Sequence, residues 1–223
     1  MQLKRTTLLV FLILLIPISG CANAGKIPYP PEKIVVMGDS ITWGYYNNTR
    51  ITPYPLYLAA KFPVGMEVIN KGFGGNQTSQ MLLRFQKDVV NRNPGYVIIQ
   101  GGSNDIRKGV SLKETEWNLK SMYQLARYNN ITPIATTLYF DNTFNKSQTE
   151  TVIALNTWIK IYSWKNRNPV VDFNKRFADK STPGKSNPAL LSNDSMHPNP
   201  AGQRALANVI YDKVFAVNVS PEK

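Results

Sequence analysis

The sequence predicts an α/β protein, a three-layer α/β/α sandwich on a parallel sheet of roughly five strands. Short runs of apolar and β-branched residues recur along the chain, and segments with helical spacing lie between them. Runs that are apolar throughout are typical of parallel strands buried on both faces, and strand–helix alternation places helices on both sides of the sheet. The predicted strands are Lys33–Met37, Met66–Asn70, Tyr96–Gln100, Pro133–Leu138 and Val170–Phe173.

The predicted helices follow from apolar side chains that recur at helical spacing and therefore share one face. Three such sets are Leu119, Met122, Tyr123 and Ala126; Val152, Leu155, Ile159 and Tyr162; and Leu206, Val209, Ile210 and Val214. The last set belongs to a helix predicted from about Pro200 to Ala216. In open α/β sheets the functional site lies beyond the carboxyl ends of the strands, so the residues directly after each strand are the candidates for a site.

The beginning of the chain has the pattern of an export signal. Lys4 and Arg5 precede the apolar run Leu8–Ile16, which suits a signal-peptide core and is too short to span a bilayer. Two cleavage positions fit the residues that follow. The segment ending in Cys21, the one cysteine of the chain, resembles the lipobox of bacterial lipoproteins, in which the cysteine is lipidated. Ordinary cleavage before Gly25 is the alternative.

The predicted organisation is one folded domain behind this signal. Residues 1–21 form the signal peptide, 22–32 a proline-containing tether, 33–217 the domain and 218–223 a tail. The formal charge is +12, but lysines and arginines are scattered rather than grouped in runs, which argues against a nucleic-acid partner. We expect a monomer.

Three residues supply the groups of a serine hydrolase, namely a hydroxyl nucleophile, an imidazole base and a carboxylate that orients the base. Ser40 follows the first predicted strand in Gly38-Asp39-Ser40, a position where serine also caps helices. His197 is the only histidine of the chain. Asp194 lies three residues before it, so its carboxylate can contact the imidazole across a tight turn, although turn formation alone is the other role for this residue.

Two further segments follow the second and third predicted strands. Asn70–Gly75 and Gly102–Asp105 both contain groups suited to donating hydrogen bonds to an oxyanion. With the segments around Ser40 and His197, they resemble the SGNH (GDSL-type) esterase and lipase family, in the family's order and over roughly residues 33–217. The resemblance implies a flavodoxin-like fold and a mechanism that needs no cofactor and no metal.

The resemblance also implies the role of each residue. Ser40 is the nucleophile, His197 the base and Asp194 the triad acid, while the oxyanion hole consists of Ser40, Gly75 and Asn104. Lysophospholipases, thioesterases and arylesterases are the members most similar in size and layout. The chain has no Gly-x-Ser-x-Gly elbow, which argues against an ordinary α/β-hydrolase.

Apolar side chains close to these segments are candidates for the substrate pocket. They are Trp43, Phe73, Tyr139, Phe140 and Met196. These residues fit a pocket for an acyl group or an aglycone, and they are equally consistent with aromatic packing over the edge of the sheet.

The predicted function is hydrolysis of carboxylic esters through an acyl-enzyme on Ser40, with a lipid, a small acyl ester or an acetylated glycan as substrate. A carbohydrate or peptidoglycan O-acetylesterase is the alternative, because aromatic side chains also stack on sugars. A non-catalytic binding lipoprotein is the third hypothesis. The predicted location is the bacterial cell envelope, with the membrane reached through Cys21, or the medium if cleavage occurs before Gly25. Glycans on the sequons at Asn76 and Asn193 would obstruct the site, which favours a bacterial source.

Overall fold

A computed structural model of the chain describes residues 33–216. The predicted signal peptide with Cys21, the tether 22–32 and the tail 218–223 lie outside the described residues, so the predictions about them remain predictions. None of the helices between residues 33 and 216 has the length and apolar character needed to cross a bilayer.

Five parallel strands form the central sheet, as predicted, and two short strands form a separate antiparallel hairpin. The strands are β1 Lys33–Gly38, β2 Tyr45–Tyr46, β3 Thr49–Arg50, β4 Glu67–Gly72, β5 Tyr96–Ile99, β6 Thr132–Thr136 and β7 Val170–Val171. The order in the large sheet is β4-β1-β5-β6-β7. β1, which precedes Ser40, is therefore flanked by β4 and β5. These two strands precede the predicted segments that contain Gly75 and Asn104.

Nine α-helices connect and cover these strands within the described residues. They are α1 Ser40–Trp43, α2 Tyr54–Ala59, α3 Thr78–Leu83, α4 Phe85–Asp88, α5 Ser103–Arg107, α6 Leu112–Tyr128, α7 Lys146–Lys165, α8 Phe173–Phe177 and α9 Pro200–Ile210. Short 3₁₀ turns span Val90–Arg92 and Pro188–Leu190.

The helices lie on both faces of the sheet and give the predicted three layers. Val35 and Met37 of β1 point towards α3, α4, α6 and α7, whereas Ile34 and Val36 point towards α2, α8 and α9. This alternation explains why the four positions from Ile34 to Met37 are all apolar. Both hydrophobic cores consist of residues between Ile34 and Phe215, so the described residues contain the interior that stabilises the domain.

Some element boundaries differ from the predicted ones. The last strand ends at Val171 rather than Phe173, because Asp172 caps α8 by accepting a hydrogen bond from the Lys175 N–H. The last helix changes at Tyr211 into a π-helical turn that ends at Phe215.

The hairpin β2–β3 was not predicted from the sequence. Its two-residue turn, Asn47-Asn48, has positive φ at both positions (43° and 62°), as hairpin turns of type I′ require. Asparagine tolerates this conformation better than other residues with a side chain.

Candidate active site

The predicted motifs meet at one edge of the sheet, where β1, β4 and β5 end. The strand register places Gly38 beside Gly72 and Met37 beside Ile99. Three segments follow these residues and therefore start side by side. They contain Ser40, a glycine-rich turn at residues 72–76 (the glycine turn) and α5.

Ser40, His197 and Asp194 form a row of hydrogen bonds. The Ser40 Oγ atom lies 2.8 Å from His197 Nε2, although the two residues are 157 positions apart in sequence. On the other side of the ring, His197 Nδ1 lies 2.7 Å from Asp194 Oδ2. The imidazole is buried, whereas Ser40 and Asp194 at the two ends of the row are half-buried.

The Asp194 carboxylate is held by its own turn. Its Oδ1 atom accepts hydrogen bonds from the Met196 N–H and the His197 N–H, both at 2.9 Å, and from the Ser192 hydroxyl. Burial alone would raise the pKa of this carboxyl, but the hydrogen bonds from His197, Ser192 and Met196 outweigh it and lower the pKa to about 2. Asp194 is thus ionised where it faces the ring. Ser192 was not predicted from the sequence, although a hydroxyl two residues before Asp194 is close enough in sequence to indicate such a contact.

The turn that presents Ser40 rests on a buried polar network. Asp39 caps α1, with its Oδ1 atom accepting from the Ile41 N–H at 2.9 Å and its Oδ2 atom accepting from Gln100 Nε2 at 3.2 Å. The Thr42 hydroxyl donates to Gln100 Oε1, and Gln203 Nε2 donates to the Ile41 carbonyl. Burial raises the pKa of Asp39 to about 6, despite the hydrogen bonds it accepts.

The glycine turn after β4 packs directly against α1. Asn70 fixes it from both sides, because its side chain donates to the Thr42 carbonyl and accepts from the Gly72 N–H, each at 2.8 Å. A Cβ atom on Gly72 would lie 2.2 Å from the Trp43 nitrogen, so only glycine allows this approach. Gly75 has φ of +74° with open space around it, so its glycine is needed for the backbone conformation.

Arg84 joins the separate segments of this half of the site, and sequence analysis missed it. Its guanidinium donates to the Gly38 carbonyl at the end of β1, to the Lys71 carbonyl at the end of β4 and to Asn76 Oδ1 in the glycine turn. It also pairs with Asp88 at 2.9 Å. In the sequence this arginine is indistinguishable from a surface cation with an acid four residues later.

Asn104 reaches the same turn from α5. Its Nδ2 atom donates to the Asn76 carbonyl at 3.0 Å, which orients the carboxamide and leaves its second N–H for another acceptor. The next residue, Asp105, is buried and accepts hydrogen bonds from the Thr78 N–H and hydroxyl. Burial raises the pKa of Asp105. These contacts bind α5 to the turn that contains Gly75.

The hairpin covers the imidazole. The Tyr45 ring lies with its centroid 4.4 Å from that of His197, at an angle of 47°. The Tyr45 hydroxyl donates to Asn48 Oδ1 within the hairpin. An aromatic ring packed against the imidazole restricts the rotation of the imidazole.

The five predicted pocket residues differ in accessibility. Phe73 is 63% exposed at the glycine turn, and Trp43 and Met196 are half-buried. Tyr139 and Phe140 are buried. Tyr139 stacks on Phe177 at 4.4 Å and donates its hydroxyl to the Met196 carbonyl, so it packs beneath the turn that contains the base. The packing alternative therefore fits Tyr139 and Phe140 better than the pocket alternative.

The arrangement offers the groups for acyl transfer. A hydroxyl, an imidazole and an ionised carboxylate lie in one row, and the glycine turn and Asn104 lie at the same edge of the sheet. Among residues 33–216, no three His, Cys, Asp or Glu side chains are grouped as a metal site would require.

Several known proteins have similar sequences. The chain is 29% identical over 139 residues to the lipoprotein YqeF of Bacillus subtilis, covering 58% of this chain and 55% of that protein. It is 25% identical over 103 residues to thioesterase 1/protease 1/lysophospholipase L1 of Escherichia coli, covering 46% and 49%. The chain thus spans about half the length of these two relatives. With the acetylxylan esterase of Geobacillus stearothermophilus it shares 25% identity over 208 residues, covering 82% and 94%.

Solved structures agree with the sequence comparison. A GDSL-like lipase of Bacteroides thetaiotaomicron has a TM-score of 0.70 and 26% identity, covering 82% of this chain and 87% of that one. The G. stearothermophilus acetylxylan esterase has a TM-score of 0.73 at 24% identity, covering 87% and 99%, and so shows the same fold. The family model of GDSL-like lipases and acylhydrolases matches residues 36–205. As the sequence motifs predicted, the chain belongs to the GDSL-like lipase/acylhydrolase family.

Proposed function

We propose that the protein is a serine hydrolase that cleaves carboxylic esters through an acyl-enzyme on Ser40. The observation that carries the proposal is the row of hydrogen bonds from Ser40 Oγ through the His197 ring to the Asp194 carboxylate. Membership of an acylhydrolase family supports it.

In the first step the Ser40 oxygen attacks the ester carbonyl carbon while its proton moves to His197 Nε2. Asp194 accepts the hydrogen bond from the Nδ1 N–H and stabilises the imidazolium that forms. The carbonyl oxygen becomes an oxyanion, for which the donors are the Ser40 N–H, the Gly75 N–H and the second N–H of Asn104. Losing one such donor typically lowers turnover by about 10²–10³-fold.

His197 then gives this proton to the alcohol oxygen as the bond between that oxygen and the carbonyl carbon breaks. The acyl group remains on Ser40, and the second half of the reaction removes it. A water molecule then attacks the acyl-enzyme while His197 removes one of its protons. The acid leaves, and the proton on His197 returns to the Ser40 oxygen. Every transfer uses the same imidazole, the only one in the chain.

The experiment that tests this proposal uses p-nitrophenyl esters from acetate to palmitate and the chain from Gly25 to Lys223, which keeps both cores. We expect Ser40→Ala and His197→Ala to abolish hydrolysis while circular dichroism shows both variants folded. Hydrolysis that survives in both folded variants would contradict the proposal. A wild-type protein with no turnover of any of these esters would favour the binding-lipoprotein hypothesis.

A second candidate is removal of acetyl groups from a carbohydrate. The alignment with an acetylxylan esterase extends over 94% of that enzyme, and the exposed ring of Phe73 at the glycine turn suits stacking on a sugar. Acetate release from acetylated xylooligosaccharides distinguishes the two candidates. Preference for acetyl over octanoyl esters together with this release indicates the carbohydrate esterase, whereas faster cleavage of medium-chain esters indicates an acyl or lipid esterase.

We also propose that the protein is exported, retained in a bacterial envelope by a lipid on Cys21, and active as a monomer. The lipobox-like segment and the similarity to a lipoprotein of B. subtilis support the envelope location. Replacement of Cys21 by serine is expected to release the protein from the membrane fraction of cells. Protein that stays in that fraction after the replacement would contradict the anchor.

A further inference from the structure

A second polar site lies at the end of the sheet opposite the nucleophile, where α6 and α7 end and where β6 and β7 begin. Two clefts share Arg167 and Asn168 among their lining residues. One, of about 360 Å³, is also lined by Arg127, and the other, of about 710 Å³, is also lined by Trp164 and Lys165.

The buried amide of Asn168 has a donor to spare. The residue is only 6% exposed, and its Oδ1 atom accepts a hydrogen bond from Arg127 Nη1 at 3.0 Å, which fixes the orientation of the amide. Its Nδ2 atom has no hydrogen-bond partner among the described residues. That donor is itself enclosed by protein, so the amide contributes to the site by orienting Arg127 and not by contacting a ligand.

The charge of the clefts indicates which acceptor fits. Arg127, Lys165 and Arg167 contribute three cations, and none of the residues lining either cleft is a carboxylate. Two guanidinium groups match the oxygens of a phosphate group, because guanidinium forms paired hydrogen bonds with such oxygens.

The backbone conformation at Arg167 allows the site to be tested with a variant that keeps the fold. Arg167 has φ of +55°, and the Asn168 N–H donates to the Ser163 carbonyl, so the end of α7 is a left-handed cap of the kind that usually contains glycine. A side chain in this conformation costs about 1 kcal/mol relative to glycine. Replacing Arg167 by glycine should therefore remove the cation without weakening the fold.

We propose that Arg127, held in place by Asn168, and Arg167 bind the phosphate group of an anionic lipid head group. Trp164, which is 79% exposed, lines the larger cleft, and Tyr128, which is 87% exposed, follows Arg127 in sequence. Such aromatic rings favour the interface between bilayer and water.

The location of the clefts at the end of the sheet where β1 begins supports a lipid rather than a free phosphate as the ligand. The strands of the sheet are parallel, so β1 begins at the same end as the clefts, and the first 32 residues join the domain there at Lys33. Contact with the membrane at this end turns Ser40 away from the bilayer. The esters that reach Ser40 are then those on the outer side of the protein, such as esters on a surrounding glycan.

Vesicle sedimentation tests the proposal with the chain from Gly25 to Lys223, which lacks Cys21. We expect binding to phosphatidylglycerol-containing vesicles and not to pure phosphatidylcholine. Arg167→Gly should weaken binding about five-fold, which corresponds to the roughly 1 kcal/mol that a basic residue contributes near an anionic membrane. Its melting temperature should equal or exceed that of the wild type. Lys146→Gln, which removes one charge at the other end of α7, should change binding by less than about two-fold.

Three results would overturn the proposal. Equal binding by the wild type and Arg167→Gly would show that Arg167 takes no part, and equal weakening by Lys146→Gln would reduce the interaction to net charge. Saturable binding of inorganic phosphate without vesicle binding would make the ligand a free phosphate and the lipid assignment wrong. Ester hydrolysis by Arg167→Gly is expected to equal that of the wild type, so failure here is distinguishable from failure of the proposed activity.

Discussion

The two halves of the candidate site are held in different ways. In the half that contains the base, the Asp194 carboxylate is fixed by Ser192 and by backbone N–H groups of its own turn. The half that contains Ser40 is assembled from distant segments, since Arg84 donates to residues of β1, β4 and the glycine turn, and Gln203 bonds a carbonyl 162 positions away.

The two halves also shift the pKa values of their carboxyl groups in opposite directions. Burial raises the pKa of Asp39 to about 6, whereas hydrogen bonds lower the pKa of Asp194 to about 2 in spite of its partial burial. The hydrogen bonds indicate that the half with His197 is stabilised within its own turn. The half with Ser40 depends on contacts between segments that only the completed fold brings together. Changes in the first should affect turnover more than stability, and changes in the second should affect both.

Of the changes that distinguish the two halves, Asp194→Asn is expected to have the largest effect on turnover. The amide retains the shape of the turn but cannot stabilise the imidazolium, so kcat should fall by up to about 10⁴-fold. The melting temperature should fall only modestly, because the ionised carboxylate stabilises a single turn that is partly exposed. Initial rates with p-nitrophenyl acetate and thermal unfolding measure the two quantities.

The control for this prediction is Ser192→Ala. It removes one donor to the carboxylate and leaves the charge in place, so the loss of turnover should be much smaller than for Asp194→Asn. Similar losses in the two variants would mean that the shape of the turn matters more than the charge of Asp194.

Arg84→Gln is expected to affect both turnover and stability. Loss of its charged hydrogen bonds should lower the free energy of unfolding by about 2–3 kcal/mol. The glycine turn then shifts relative to Ser40, and a displacement of about 1 Å can lower kcat about 10²-fold. Urea unfolding and the separate measurement of kcat and KM check the prediction, with KM expected to change little.

The matched variants are Arg84→Lys and Arg92→Gln. Lysine keeps the charge but cannot contact three segments at once, so it should rescue little of the turnover. Arg92 is exposed and remote from the site, and its replacement should leave kcat unchanged. A folded Arg84→Gln variant with the kcat of the wild type would show that the arginine stabilises the domain without positioning the turn.

The same contrast explains what the sequence could predict. Ser40, Asp194 and His197 could be predicted because their motifs are short and local, and the structure places the three side chains in one row of hydrogen bonds. Arg84 and Gln100 were not found, because their partners are distant in sequence and the residues themselves lie in no motif.

The fold shows the same limits at a coarser level. The alternation of apolar runs and helical segments predicted five parallel strands and three layers, because burial on both faces leaves a clear pattern. The hairpin with Tyr45 was missed, since its strands have two residues each and pack on His197 rather than on the sheet. Short elements stabilised by one tertiary contact leave no period to detect.

The two carboxylates provide the finest test of the comparison through the pH dependence of stability. The folded-state pKa of Asp39, about 6, lies above its ordinary value of 3.8, so its contribution is fully present below the ordinary value and is lost as pH rises through about 6. The stability of the wild type relative to Asp39→Asn should therefore fall by about 2 kcal/mol between pH 4 and pH 7.

For Asp194 the sign is reversed. Its pKa of about 2 lies below 3.8, so its contribution is present above the ordinary value and is lost only as pH falls towards 2. The stability of the wild type relative to Asp194→Asn should be flat from about pH 5 to pH 7. Urea unfolding of all three proteins across this range gives both curves. If the Asp39 curve is flat as well, its carboxylate is satisfied in the folded protein, and the two halves differ in connectivity but not in electrostatics.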